Sequence, residues 1–303
     1  MKNYIYDQNV KIEIGHFRLF REEIIKIIGR FELNRFPKNI KQSNFFFLNI
    51  NFFDRYALIC LFSLFFLPKE RCHIFLHSCR KKGISLKLLS LFFKTSKIYV
   101  FSMHLRQLLI KCNFSEQNVI LIEFPNVNLI NDKEKFIKKT KLKIQKEMTC
   151  VIWGKSSQNI PHSIISKLIS RNILIKFIKN PINSVEKYKH KNITYYSHVD
   201  EKYLFEIISN SDFGLVYLSG LEEEYYKNSM NASGVFLTNR NYSLPSILIF
   251  SSSHYDQEIM LDNISTRIDH DQNFEEKLDL FIRNLGSNKF KNVKYKNLND
   301  FLN

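Results

Sequence analysis

Two small-residue segments of this sequence have the residue types that hold phosphate. Gly154-Lys155-Ser156-Ser157 follows Cys150–Trp153, an apolar run of strand length. A glycine there lets the backbone come against an anion, while N–H groups and Lys155 supply positive charge. An ordinary turn would use the same residues. The glycine spacing that precedes the lysine of a P-loop is absent. Asn228-Ser229-Met230-Asn231-Ala232-Ser233-Gly234 is the second segment, read as a loop after a strand end and before a helix. Ser233 would cap that helix and touch a phosphate by the same geometry, with Asn231 and Gly234 beside it.

The remaining polar groups are less specific. Glu222-Glu223-Glu224, followed by Tyr225 and Tyr226, reads as an acidic loop in which one carboxylate can meet hydroxyl groups, solvent being its commoner fate. His77 ends a strand, where open parallel sheets bind ligands, although a satisfied half-buried histidine is the plainer reading. Asp269-His270-Asp271 has the spacing of a divalent-metal pair, but Asn273 with Glu276 fits a capping box, so helix capping is preferred. The cysteines Cys60, Cys72, Cys79, Cys112 and Cys150 are five in number and lack paired ligand spacing. They imply a reducing compartment, core packing and no zinc site. No metal and no cofactor are expected.

The elements that must position these groups alternate. A helix over Phe17–Arg30 follows an opening of unclear structure; strands are predicted at Asn44–Ile50, Cys72–His77, Lys97–Phe101 and Val119–Phe124, with helices at Arg55–Leu67, Ser85–Phe93 and His104–Cys112 between them. Asn131–Glu147 is dense in lysine and poor in apolar anchors, the pattern of a linker, either a solvated helix or an extended tether. The alternation restarts with strands at Cys150–Trp153, Leu174–Ile178, Ile193–Ser197, Phe213–Leu218 and Ser246–Phe250. Its helices are predicted at Pro161–Ser170, Glu201–Asn210, Ser233–Asn241 and Phe274–Asn284. Apolar strands between helices imply mostly parallel sheets covered on both faces. The expectation is an α/β chain of two Rossmann-like domains: residues 1–145, residues 146–260, and a terminal helix and tail, 261–303, packed back across the joint.

Composition agrees. A length of 303 residues suits two domains, and 45% hydrophobic with 14% aromatic residues excludes a disordered chain. A formal charge of +16 draws the surface to phosphates, whether of nucleic acid, anionic lipid or sugar nucleotides. The aromatics fall mostly in predicted core elements and no nucleic-acid module is present, so nucleic acid is not the expected partner. Met1–Val10 is polar, unlike a signal peptide, and the apolar run Tyr56–Leu67 is too short to span a bilayer; a cytoplasmic location is expected.

Several phrases resemble the two-Rossmann (GT-B) glycosyltransferases, in particular the family 4-like enzymes of bacterial surface-polysaccharide synthesis. Lys97–Pro125 is similar to the end of their first domain, with Phe124-Pro125-Asn126 at the place where a Pro-Asn pair leads into the crossover. Ile193-Thr194-Tyr195-Tyr196-Ser197-His198-Val199 looks like the strand and loop beneath the nucleotide base. Ser211-Asp212-Phe213-Gly214-Leu215-Val216 and Tyr242-Ser243-Leu244-Pro245-Ser246-Ile247 are similar to later phrases of the second domain. The resemblance covers Lys97–Phe250. The family's two glutamates, separated by seven residues, have no counterpart: Met230 and Thr238 fall there, and Ser243 replaces a glycine.

The resemblance implies domains facing across a cleft and transfer of a sugar from a nucleotide-sugar donor to a glycan or lipid-linked acceptor, without a metal. It makes Gly154, Lys155, Ser156, His198, Asn231, Ser233 and Gly234 the donor and phosphate contacts, and His16 and Glu223 the catalytic candidates. Basic residues among Arg71–Lys87, with Leu86, Leu88 and Leu89, would rest on an anionic membrane or form a solvated face. A binding protein that keeps the fold without the acids is the competing expectation.

Overall fold

The computed structural model of the chain describes residues 2–7, 16–33, 39–51, 66–78, 86, 90, 93–122, 147–154, 159–178, 188–197, 199–229, 232–250, 255–262, 264–269 and 273–287. Two compact units are present, one built mainly from Met1–Asn126 and the other mainly from Val127–Glu224 and Ser233–Val293. The helices expected at Arg55–Leu67 and Ser85–Phe93 and the linker at Asn131–Glu147 lie largely outside the described residues, as do Cys60 and Cys79.

The first unit contains β1 (Lys2–Asp7), α1 (His16–Ile28), β2 (Phe31–Leu33), β3 (Ser43–Asn51), β4 (Cys72–Ser78), β5 (Lys97–Val100), α2 (Met103–Lys111) and β6 (Val119–Leu121). Its six strands run parallel in the order β2-β1-β3-β4-β5-β6. Strand alternation sends successive side chains to opposite faces. Phe45, Phe47, Ile74, Leu76, Ile98 and Val100 form one core with Leu105 and Leu109 of α2. On the other parity Phe75 and Phe101 meet Phe20 of α1, with ring centroids 5.0 and 5.2 Å apart. Ser102 caps α2 by accepting the Leu105 N–H.

The second unit contains β7 (Thr149–Ile152), α3 (His162–Ile169), β8 (Leu174–Ile178), β9 (Ile193–Tyr196), α4 (Glu201–Ser209), β10 (Phe213–Tyr217), the start of α5 (Gly220–Ser229, grouped with the first unit from Tyr225 on), α6 (Gly234–Asn241), β11 (Ser246–Ile249), α7 (Asp256–Asp262), β12 (Thr266–Ile268) and α8 (Phe274–Ser287). The sheet order is β12-β11-β10-β7-β8-β9, again all parallel. Counted from β7, this is the 3-2-1-4-5-6 order of a dinucleotide-binding Rossmann sheet, read from the β9 edge. Val151, Ile178, Phe205, Ile208 and Leu244 pack on one face, with α4. The other face holds Cys150, Ile175, Phe213 and Ile247 with α3, and the α8 stripe Phe274, Leu278 and Phe281. That i, i+4, i+7 stripe is what an amphipathic helix needs to dock on a sheet. Arg171 adds a paired contact to Asp279 of α8, at 2.6 and 3.2 Å.

Several expectations need correction. The opening is a strand, β1, in the interior of its sheet, with Tyr4 and Ile5 fully buried. The acidic run Glu222–Glu224 is not a loop but the first turns of α5, so the segment before Ser233 follows a helix rather than a strand end. Neither α7 nor β12 was anticipated; a seven-residue helix and a three-residue strand are too short to show a period. Asn273 does precede α8, with φ +55, and its carbonyl accepts the Lys277 N–H. Asp269 lies 3.8 Å from Lys277 and 3.9 Å from Arg267, while His270 and Asp271 are outside the described residues. Cys72 and Cys150 are core residues, and burial pushes the Cys72 thiol up to about 12. Among the described residues no helix is long and apolar enough to cross a membrane.

One buried group of the first sheet makes its stability depend on pH. His73 stacks between Phe46 and Tyr99, and its Nδ1 lies 3.0 Å from the Tyr99 hydroxyl. Burial, helped by the Lys97 charge, lowers its pKa from 6.5 to about 4. The unfolded chain therefore binds the proton first as pH falls, and the stabilisation present in full above 6.5 is lost as pH passes down through about 4. The loss is about 3 kcal/mol over that window. Urea denaturation of the wild type between pH 7 and 4 is expected to show this slope, and His73→Phe to flatten it.

Candidate functional site

In an open parallel sheet, the crevice outside the strand C-termini opens where chain connections depart in opposite directions. In the second sheet that point lies between β7 and β10, which are hydrogen-bonded neighbours although the chain moves from β7 outward to β8 and from β10 outward to β11. The chain leaving β7 is Trp153-Gly154, and the chain leaving β10 passes through α5 into α6.

Gly154 has φ +71, a conformation that side chains with a Cβ rarely adopt. A Cβ placed there would come 2.7 Å from Cγ2 of Val235, the second residue of α6. The turn after β7 is therefore pressed against the first turn of α6, and only a glycine permits it. Helix geometry leaves the N–H groups of Gly234, Val235 and Phe236 without acceptors inside the helix; the Leu237 N–H is bonded to the Ser233 carbonyl. With the helix dipole behind them, such groups favour an anion. Ser233 stands at the N-cap, 3% exposed, and its side chain makes no capping bond, which corrects the expectation that it would cap.

The rest of α6 is anchored inside the unit. Trp153 Nε1 donates to Asn239 Oδ1 at 3.0 Å, and Asn239 Nδ2 donates to Ser246 Oγ on β11 at 3.1 Å. Asn239 is fully buried, and its amide sits where a Cβ on Gly214 of β10 would be, 2.3 Å away. Gly214 thus lets the helix lie close on the sheet. In the last turn, Arg240 pairs with Glu258 of α7 at 2.7 Å, both side chains 1% exposed. A buried pair of this kind stabilises little, but losing either partner leaves an uncompensated charge.

The structure therefore brings together Gly154 and Ser233-Gly234, which lie about eighty residues apart in the sequence. Lys155, Ser156, His198 and Asn231 lie outside the described residues, and so do the side chains of His16, the first residue of α1, and Glu223, inside α5. His77 lies at the C-terminal end of β4, its ring edge-on to Phe101 at 6.3 Å. Trp153, Asn239, Gly214, Tyr255 and the Arg240–Glu258 pair were not singled out from the sequence as site residues. A lone tryptophan immediately before a glycine at a strand end was the one signal that pointed there.

The chain has the two-Rossmann (GT-B) glycosyltransferase fold. It is similar to Anabaena HepE, solved in complex with UDP, with a TM-score of 0.53 and 10% identity over 95% of this chain and 90% of that one. Other similar structures are AviGT4, a glycosyltransferase of avilamycin A biosynthesis (TM-score 0.45, 6% identity, 97% and 90% covered), and a Listeria monocytogenes protein described as a UDP-N-acetylglucosamine 2-epimerase (TM-score 0.44, 8% identity, 98% and 91% covered). No protein-family model and no curated protein matches the sequence.

Gly154→Ala is expected to destabilise the second unit by about 1–3 kcal/mol, from the positive φ and the Val235 contact together. Urea denaturation followed through the single Trp153 reads this directly; an unchanged midpoint would show that the turn relaxes freely.

Proposed function

We propose that the protein is a glycosyltransferase that takes its sugar from a nucleotide-sugar donor. The observation that carries the reading is the contact of Gly154 with the first turn of α6 at the switch point of the second sheet. It sets the N–H donors at the start of α6 beside the turn after β7, an arrangement suited to a diphosphate. HepE, a protein of the same fold, was solved with UDP, which supports a nucleotide as the ligand.

In glycosyl transfer an acceptor oxygen forms a bond to the anomeric carbon as the bond from that carbon to the diphosphate breaks. Charge builds on the leaving diphosphate, so donors fixed around it stabilise the transition state more than the ground state. Gly154, Lys155 and Ser156 after β7 and Asn231, Ser233 and Gly234 at the start of α6 are the proposed phosphate contacts, with His198 at the base. His16 and Glu223 are the proposed catalytic groups. Positive charge and the helix start take the place of a metal in this reading, and no cofactor is required. The acceptor is a glycan or lipid-linked glycan of bacterial surface-polysaccharide synthesis, met at the cytoplasmic face of the membrane, where a chain of charge +16 is drawn to anionic lipid.

A second reading rests on Thr238, buried inside α6 at a position where the resembling enzymes carry a glutamate. In it the chain keeps the nucleotide site, has lost turnover and partners an active transferase.

UDP is expected to raise the melting temperature and to change the emission of Trp153, which adjoins Gly154. At about one hundred times its Kd a ligand adds about 2.7 kcal/mol of stability. Lys155→Ala should reduce the response, and polyphosphate and duplex DNA should not reproduce it. Equal responses to all three anions would reduce the site to a generic basic surface. UDP binding with no sugar released from any UDP-sugar, with or without acceptor, would favour the second reading.

A further inference from the structure

The segment that begins at Tyr255 and continues into α7 holds α6 at both ends. Tyr255 is fully buried, its ring 4.4 Å from Phe250 and 6.3 Å from Phe236 by centroids. Its hydroxyl accepts the N–H of Ser233, the N-cap of α6, at 3.2 Å. Three residues on, Glu258 takes Arg240 in the last turn of the same helix. The ring contacts fix the hydroxyl, because Phe250 ends the β11 region and Phe236 belongs to α6 itself.

We propose that Tyr255 is a positioning residue: by holding the Ser233 N–H it sets where the α6 start lies against Gly154, and so where the N–H groups of Gly234, Val235 and Phe236 point. This rests on the donor-site reading for its effect on ligand, but the hold on the helix does not. The chain near Ser233 has no side-chain cap of its own, so a bond from outside the helix defines its first turn. Without the hydroxyl the Ser233 amide loses its fixed acceptor and the first turn frays, while Arg240–Glu258 and Asn239 keep the rest of the helix in place. Tyr255 would touch no ligand; it acts through the backbone of Ser233.

Tyr255→Phe removes one oxygen from a packed ring and leaves the fold intact. Two measurements on it decide the matter: amide hydrogen exchange over residues 233–241, and UDP affinity by titration of Trp153 emission. The amides of residues 233–236 are expected to exchange about threefold to tenfold faster, with those of residues 238–241 unchanged, and the Kd for UDP to rise by a similar factor. Tyr99→Phe, which removes a buried hydroxyl in the first unit, should lower the melting temperature without changing the Kd. Unchanged exchange at residues 233–236 in Tyr255→Phe overturns the proposal. Faster exchange with an unaltered Kd, in a protein that binds UDP, overturns it as well. A wild-type protein that binds no UDP sinks the donor reading alone, and the exchange comparison still decides whether Tyr255 holds the helix start.

Discussion

Helix α6 can lie on the second sheet only because two positions beneath it have no Cβ. At Gly214, in β10, a methyl group would occupy the place of the Asn239 amide, 2.3 Å from its nitrogen. At Gly154, beyond β7, it would strike Val235. Gly214 is the second residue of β10 and Gly154 follows the end of the neighbouring β7, so α6 is held close near both ends of these strands, its start at the end where the crevice opens. The chain has only 8 glycines in 303 residues, and two of them serve this one contact.

Close approach creates a second requirement, because it drives polar groups into the interior. Thr238, Asn239, Arg240 and Asn241 of α6 are all buried. A buried amide or guanidinium without partners costs more than most packing contacts return. Asn239 is satisfied from two directions, by Trp153 and by Ser246, and Nη1 of Arg240 is paired with Glu258. Asp262 extends the polar interior: it accepts from the backbone of Ile264 and Ser265 and from the Ser265 hydroxyl, and Ser265 Oγ in turn accepts the Ser246 N–H. Burial raises the Asp262 pKa even so. Such a network does little for net stability, yet it admits one register of α6 against the strands, and that register places the helix start beside Gly154.

The sheets were legible in the sequence because buried parallel strands leave continuous apolar runs. Leu174–Ile178 was placed to the residue, and Phe213–Tyr217 and Ser246–Ile249 within one residue at one end. β1 was missed because Lys2, Asn3 and Asp7 surround only three apolar residues, and its burial comes from neighbours on both sides rather than from its own pattern. α5 was missed because Gly220 and three consecutive glutamates read as a loop by local preference; acidic residues in a first turn are also what the helix dipole favours. Of the candidate site, the two small-residue segments were visible as separate features. Their meeting was not, because it depends on sheet order and on a Val235 side chain whose partner is a missing Cβ. The interior partners Asn239, Tyr255 and Glu258 are ordinary residues in sequence and acquire meaning only from burial.

The kind of charge at this start of α6 bears on what it can discriminate. A lysine side chain attracts any anion, and a chain of net charge +16 already does so over its whole surface. Backbone N–H groups at a helix start act over about one turn and are oriented, so they favour a phosphate at one place and in one direction. Their selectivity is therefore only as good as the fixing of the helix itself. In this unit the fixing comes from side chains behind and below α6, and none of it from a cap on Ser233. In the proposed donor site, polar groups that contribute little to folding energy would thereby decide whether a basic protein distinguishes a nucleoside diphosphate from any other polyanion.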